Sequence, residues 1–290
     1  MVSMAQIVAR GRAFAAPLRA WSLRHRRVIV PVAAVVFAGA LIWAVRDLGL
    51  TWADIHIGWL LVAFFGLAPL VVVINGWGIA LGAWSFGKAL SLRRATVIGA
   101  AGIVGELSPA PGVMAAHAGA MLGSGVGVSA TAIYMAGRAA FFIGGAICVA
   151  ALTLGAVPGW IAGGSGAVAL GGFAALVRVC GGTQALVVVG QRALTLALQT
   201  GRIYVIFQVI GQGIALSSAP LFVASGMVGS IVFFVPAGLG ASEALAALVA
   251  PLADVVPAAG FAAMALSRLM VLFWSMVVSV AALGLGKATK

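Results

Sequence analysis

Acidic side chains are the scarcest chemistry in this 290-residue chain: five Asp and Glu stand against 17 Lys and Arg. With three histidines beside them, they form no metal-ligand cluster and no Ser/His/Asp set. The two cysteines, Cys148 and Cys180, are too few for a disulfide framework, and nothing near them has zinc-ligand spacing. The GxG elements follow no strand and lie in no βαβ unit, which excludes a nucleotide fingerprint. No cofactor is expected, and the chain is not expected to be an enzyme. Charged residues make up 8% of the chain, against about 25% in a soluble domain. A sizeable hydrophilic domain is therefore excluded as well. A net charge of +12 is compatible with nucleic-acid binding, but no basic block is interleaved with aromatics that could read bases.

What is present is apolar sequence. Hydrophobic residues reach 63% and the mean hydropathy is +1.20. Glycine, at 40 residues, is nearly double its usual share of about 7%, as small-residue helix packing in lipid requires. The composition predicts an all-α polytopic membrane protein.

The stretch Pro236-Ala-Gly-Leu-Gly-Ala-Ser-Glu243 interrupts apolar sequence with a proline, two glycines and a carboxylate. Neither flank reaches the roughly 20 residues that span a bilayer. Irregular backbone at membrane depth must be covered by protein or a wet cavity. The expectation is two half-helices meeting at a polar break, and an intramembrane carboxylate marks a functional site by default. A second break falls at Glu106 and Ser108-Pro-Ala-Pro-Gly112, with His117 in the apolar run that follows.

Residues 1–27 form a basic tail without acids, and residues 28–286 a single transmembrane domain, with residues 287–290 as a second tail. Spans are expected at 28–45, 59–83, 129–154, 158–177, 203–224 and 257–285. Residues 183–200 read as an amphipathic helix on the cytoplasmic surface. Residues 28–45 are a retained helix rather than a signal peptide, because no small-residue cleavage site precedes Arg46. With the N-terminus inside and both breaks returning to their side of entry, the charges sort by side. The tail, Lys88, Arg93, Arg94, Arg178, Arg192, Arg202, Lys287 and Lys290 then share one side. Arg46 falls outside, and Arg138 and Arg268 lie within the membrane. This positive-inside bias predicts about six transmembrane helices plus two re-entrant broken-helix hairpins. It places the chain in a prokaryotic cytoplasmic membrane with both termini cytoplasmic.

The two breaks belong to an internal repeat, at about 59–155 and 203–285. Pro109 precedes Arg138 by 29 residues, and Pro236 precedes Arg268 by 32. In this topology the hairpins enter from opposite faces, an inverted repeat of the kind transporters use, with the site near the midplane. Each arginine lies roughly ten residues, or about 15 Å, into its helix.

The candidate substrate-binding residues are Arg138, Arg268, Glu243, Glu106, His117 and Asn75. The hairpin breaks are Pro109, Pro111, Gly112, Pro236, Gly238 and Gly240. Structural readings compete. Glu243 and Arg268 can be a buried pair that fixes the hairpin to the last helix, Arg138 a partner of Glu106, His117 a packed histidine, and Asn75 an interhelical hydrogen-bond former.

Pro236, Gly238, Gly240, Glu243 and Arg268, with Pro109 and Arg138 in the first half, resemble the flippase-like transmembrane domain of lysylphosphatidylglycerol synthases. The resemblance covers about residues 59–285 and is more specific in the second half. It implies a stand-alone membrane member that lacks the synthase domain. The family's first hairpin usually reads Pro-Gly-Arg-x-Gly-Glu, with a further Arg three residues on. This chain has Pro109-Ala-Pro-Gly-Val-Met114 and His117 there. Against that pattern Glu106 stands in for the acid and His117 for the base.

Arginine suits phosphate and helix N-termini attract anions. The expected function is translocation of an anionic phospholipid, glycolipid or polyprenyl-phosphate-linked lipid. The alternative is a non-transporting membrane subunit that presents lipid to a partner such as a lipid-modifying enzyme or glycosyltransferase. A small-solute transporter stands third. The expected partner is therefore membrane lipid, and the sequence does not fix the oligomeric state.

Overall fold

A computed structural model describes residues 26–105, 112–155, 158–230 and 240–288. Every regular element among the described residues is helical. In chain order the helices are α1 (Arg26–Asp47), α2 (Ile57–Trp84), α3 (Leu92–Gly105), α4 (Gly112–Gly123) and α5 (Val128–Leu154). Then come α6 (Gly159–Cys180), α7 (Gly182–Val209), α8 (Ala219–Ser230), α9 (Ala241–Val249) and α10 (Pro257–Ala288). Four of them, α2, α5, α6 and residues Pro257–Leu283 of α10, are long and apolar enough to cross a membrane. The fold is that of a helical membrane protein. Helix α1 has 22 residues, about 33 Å at 1.5 Å per residue, and it leans on α10 through Phe37 and Phe261, whose ring centroids are 6.2 Å apart.

Helix α2 carries a π turn over Val62–Leu67 just before Pro69. Proline has no N–H to offer the carbonyls of the preceding turn. The freed carbonyl of Phe64 accepts instead from the indole Nε1–H of Trp274 on α10, at 2.6 Å. A sequence defect in one helix thus becomes a tie between two.

Helices α5 and α6 form the most extensive pair, and their contact depends on small residues. A Cβ at Gly137 would lie 2.9 Å from the Gly172 carbonyl oxygen, and one at Gly172 would lie 2.6 Å from that of Gly137. The backbones approach closely because neither position carries a side chain, the packing mode that serves where lipid removes the hydrophobic drive between helices.

Helices α3, α4, α8 and α9, with 14, 12, 12 and 9 residues, are all shorter than a bilayer span. Helix α3 packs on α4 and α8 on α9. Each half of the chain therefore reads long helix, two short helices, long helix among the described residues: α2 to α5, then α7 to α10.

One expectation is corrected here. Residues 183–200 are not a separate surface helix, and 203–224 is not a continuous span. Residues Gly182–Val209 form one 28-residue helix, and the chain breaks after it, through Gly211 at φ +67°. Gln191, one of the polar residues that suggested a water interface, is satisfied inside the protein. It is buried and donates from Nε2 to the Ile74 carbonyl of α2 at 3.0 Å and to Thr195 Oγ1 at 3.0 Å. The second half therefore begins near Gly182 rather than 203. Arg192 and Arg202 lie within α7 and drop out of the argument from surface charge.

Candidate functional site

The second half builds its polar centre at the start of α9. Gly240, at φ +89°, turns the chain into the helix, and its N–H donates to Glu243 Oε2 at 2.9 Å. A carboxylate in the first turn both caps the helix and suits its positive end. Glu243 is fully buried, and Arg268 of α10 reaches it: Nη1 lies 3.1 Å from Oε1 and 3.4 Å from Oε2. The shorter contact is an ion pair without hydrogen-bond geometry; the hydrogen bond goes to Oε2. Arg268 Nη2 donates to Ser242 Oγ at 3.1 Å, and that hydroxyl donates onward to the Gly226 carbonyl of α8 at 3.1 Å. One chain of polar contacts therefore joins α8, α9 and α10. The Arg268 side chain stays 20% exposed, so it is paired yet open on one edge.

The first half builds a different centre. Arg138 of α5 lies with Nη1 against the imidazole of His117 on α4, 3.0 Å from Nε2 and within reach of Nδ1. Arginine only donates, so the ring nitrogen that accepts from it carries no proton. Both side chains are buried, at 4% and 2% exposure. Tyr134 lies beside the imidazole, its ring centroid 6.2 Å away. The space for the pair comes from α2. A Cβ at Gly78 would lie 2.2 Å from Arg138 Nη2, and one at Gly82 would lie 2.7 Å from His117 Nε2. Two glycines four apart, on one helical face, cut the groove in which the pair sits.

Two neighbouring cavities lie between these centres. One, of about 280 Å³, is lined by Asn75, Gln199, Arg202, Ser242, Ser267 and Arg268 among others. The other, of about 230 Å³, is lined by His117, Arg138 and Arg192 among others. Asn75, Phe142 and Met227 line both. Arg192 lies over the Phe142 ring, 4.9 Å from its centroid, a cation–π contact at the junction. Four arginines thus border the cavities, and among the described residues Glu243 is the one carboxylate near them. Asp47, at the end of α1, and Asp54 and Asp254, in connecting segments, are exposed.

The structure brings Glu243 and Arg268 together, brings His117 to Arg138, and sets Asn75 between the two centres. Arg138 was expected to pair with Glu106, or failing that Glu243. Its contact is His117, and Glu106 lies outside the described residues, as do Pro109, Pro111, Pro236 and Gly238. Gly112 opens α4, and Gly240 immediately precedes α9.

Sequence reasoning missed Arg202 as a site residue. It is 9% exposed, lines the larger cavity, and has Nε and Nη1 buried without a hydrogen-bond partner. It also missed Gln191, Arg192 and Ser242. A signal existed: Gln191, Thr195 and Arg202 fall at i, i+4 and i+11, one face of a helix running straight through Gly201.

Comparison with known proteins adds no assignment: no family model matches the chain, and no curated protein matches it.

Proposed function

We propose that the protein is a lipid translocase for an anionic headgroup, a phospholipid, glycolipid or polyprenyl-phosphate-linked lipid. In this reading six helices (α1, α2, α5, α6, α7 and α10) cross the membrane. The pairs α3–α4 and α8–α9 are re-entrant hairpins entering from opposite faces. The observation that carries the reading is the charge of the interior: four arginines border two neighbouring cavities with one described carboxylate nearby. Burying that much positive charge in a membrane protein is costly, and an anionic guest would offset it. Acyl or isoprenoid tails would stay in the bilayer while the headgroup passed between the halves. The likeness of the second hairpin to the flippase-like domain of lysylphosphatidylglycerol synthases supports the same reading.

A second reading rests on the first half. Among the described residues His117, not a carboxylate, holds Arg138, and the charges that the family's first hairpin usually carries are missing from the sequence. A hairpin altered in this way suits a subunit that presents lipid to a partner enzyme without moving it.

Reconstitution into liposomes separates the two. The translocase should equilibrate a labelled anionic lipid between leaflets at least tenfold faster than a zwitterionic one, and Arg138→Gln or Arg268→Gln should abolish that preference. Because Arg268→Gln leaves Glu243 unpaired, the double variant Glu243→Gln/Arg268→Gln is the folding control. Wild-type protein that scrambles no lipid in either class would favour the presenting subunit.

A further inference from the structure

We infer that the guest of this site carries two anionic groups, as a diphosphate-linked headgroup does, with one group held by each half of the protein. This rests on the anionic-lipid reading above and narrows it.

The inference begins from the repeat. Asn75 stands 34 residues before Pro109, and Arg202 stands 34 residues before Pro236. The same pair lies 17 residues before Leu92, the first residue of α3, and 17 before Ala219, the first of α8. Asn75 and Arg202 therefore occupy equivalent positions of the two halves, and both line the larger cavity. Where the first half offers a neutral amide, the second offers a guanidinium.

The hairpin arginines differ in the opposite sense. Arg268 of the second half is compensated by Glu243 at 3.1 Å. Arg138 of the first half rests on His117, whose accepting nitrogen brings no negative charge. Among the described residues, three of the four cavity arginines are thus left without a carboxylate, Arg138 of the first half and Arg192 and Arg202 of the second. Arg192 is half-buried and lies over the Phe142 ring, which leaves Arg138 and Arg202 as the deeply buried pair, one from each half. Both are at least nine-tenths buried. Both also hold buried nitrogens without a hydrogen-bond partner, Nε of Arg138 and Nε and Nη1 of Arg202. Asn75 borders both cavities, so its carboxamide can donate to an oxygen that lies between two anionic groups.

A buried arginine without a counter-charge is unfavourable until an anion completes it. A single phosphate group, diester or monoester, presents one phosphoryl centre and completes one of this deeply buried pair. A diphosphate supplies two phosphoryl groups, each with oxygens for a guanidinium fork. The same chemistry could arrive on a lipid or as a free diphosphate, and the test separates these sources.

Binding to the purified full-length chain in detergent would be measured with farnesyl diphosphate, farnesyl phosphate, inorganic pyrophosphate and a zwitterionic phosphocholine lipid. Farnesyl diphosphate should bind at least tenfold more tightly than farnesyl phosphate. Arg138→Gln and Arg202→Gln should each bring it down to the monophosphate level. Arg94→Gln, an exposed arginine away from the cavities, should leave the tenfold ratio intact. Arg138→Lys and Arg202→Lys, which keep the charge, should retain part of it, so loss of fold is distinguished from loss of charge. Equal binding of farnesyl diphosphate and monophosphate, both above phosphocholine, would overturn the two-group inference and leave the anionic-lipid reading standing. Binding of neither anion above phosphocholine would overturn both. Pyrophosphate binding as tightly as farnesyl diphosphate would support two anionic groups and overturn the lipid as their carrier.

Discussion

Arg202 holds two buried guanidinium nitrogens without partners, while Arg268, on a neighbouring helix, is tied to Glu243 and Ser242. Desolvating an uncompensated charge costs several kcal/mol, and an apolar side chain of similar volume removes that cost. Arg202→Met should therefore raise the thermal unfolding midpoint of the empty protein, corresponding to about 1–4 kcal/mol of added stability. A lower midpoint would mean that Arg202 supports the fold instead. Glu243 and Arg268 were legible from sequence because each interrupts an apolar run and a break lies close to Glu243. Arg202 was not. A basic residue near Gln and Thr has the same composition at a water interface as in a wet protein interior, and hydropathy does not separate the two. The partner of Arg138 was illegible for a related reason. His117 sits 21 positions away on a separate short helix, and spacing along the chain does not report how α4 packs against α5.

At the scale of elements, three of the short helices could be read from length alone. Apolar runs cut short by Pro and Gly fall below a bilayer span, so α3, α4 and α9 were expected as short pieces, whereas the start of α8 was read as the end of a span over 203–224. Helix α7 could not be read this way, because its continuity through Gly201 depends on the α2 surface against which Gln191 is buried. The π turn of α2 was also invisible in sequence, since Pro69 near a helix start is compatible with ordinary geometry. Its consequence is testable. Trp274→Phe keeps the aromatic contacts with Phe64, 5.9 Å between ring centroids, but removes the donor to the Phe64 carbonyl. The cost should be about 1–3 kcal/mol, that of a buried acceptor left unsatisfied, seen as a lower unfolding midpoint in detergent. An unchanged midpoint would show that the π turn holds without that tie.

For the whole molecule, the account depends on two halves of like construction lying inverted in the bilayer around the arginine-bordered cavities. The α2–α5 and α7–α10 units share their order of elements, and α6 joins them. In the proposed arrangement α6 is one intervening crossing, which would set the second unit opposite in direction to the first. With the basic N-terminal tail inside, the loop that leads into α5 would belong to the cytoplasm and the loop that leads into α10 to the outside. Single cysteines test this in intact cells, placed at Val128, 69% exposed at the start of α5, and at Leu252, 50% exposed just after α9. The background would carry Cys148→Ala and Cys180→Ala. The account predicts that a membrane-impermeant maleimide labels Leu252→Cys from outside, and labels Val128→Cys only after the membrane is opened. Labelling of both positions from the same side would contradict the inverted arrangement, and with it the translocation mechanism proposed for the site.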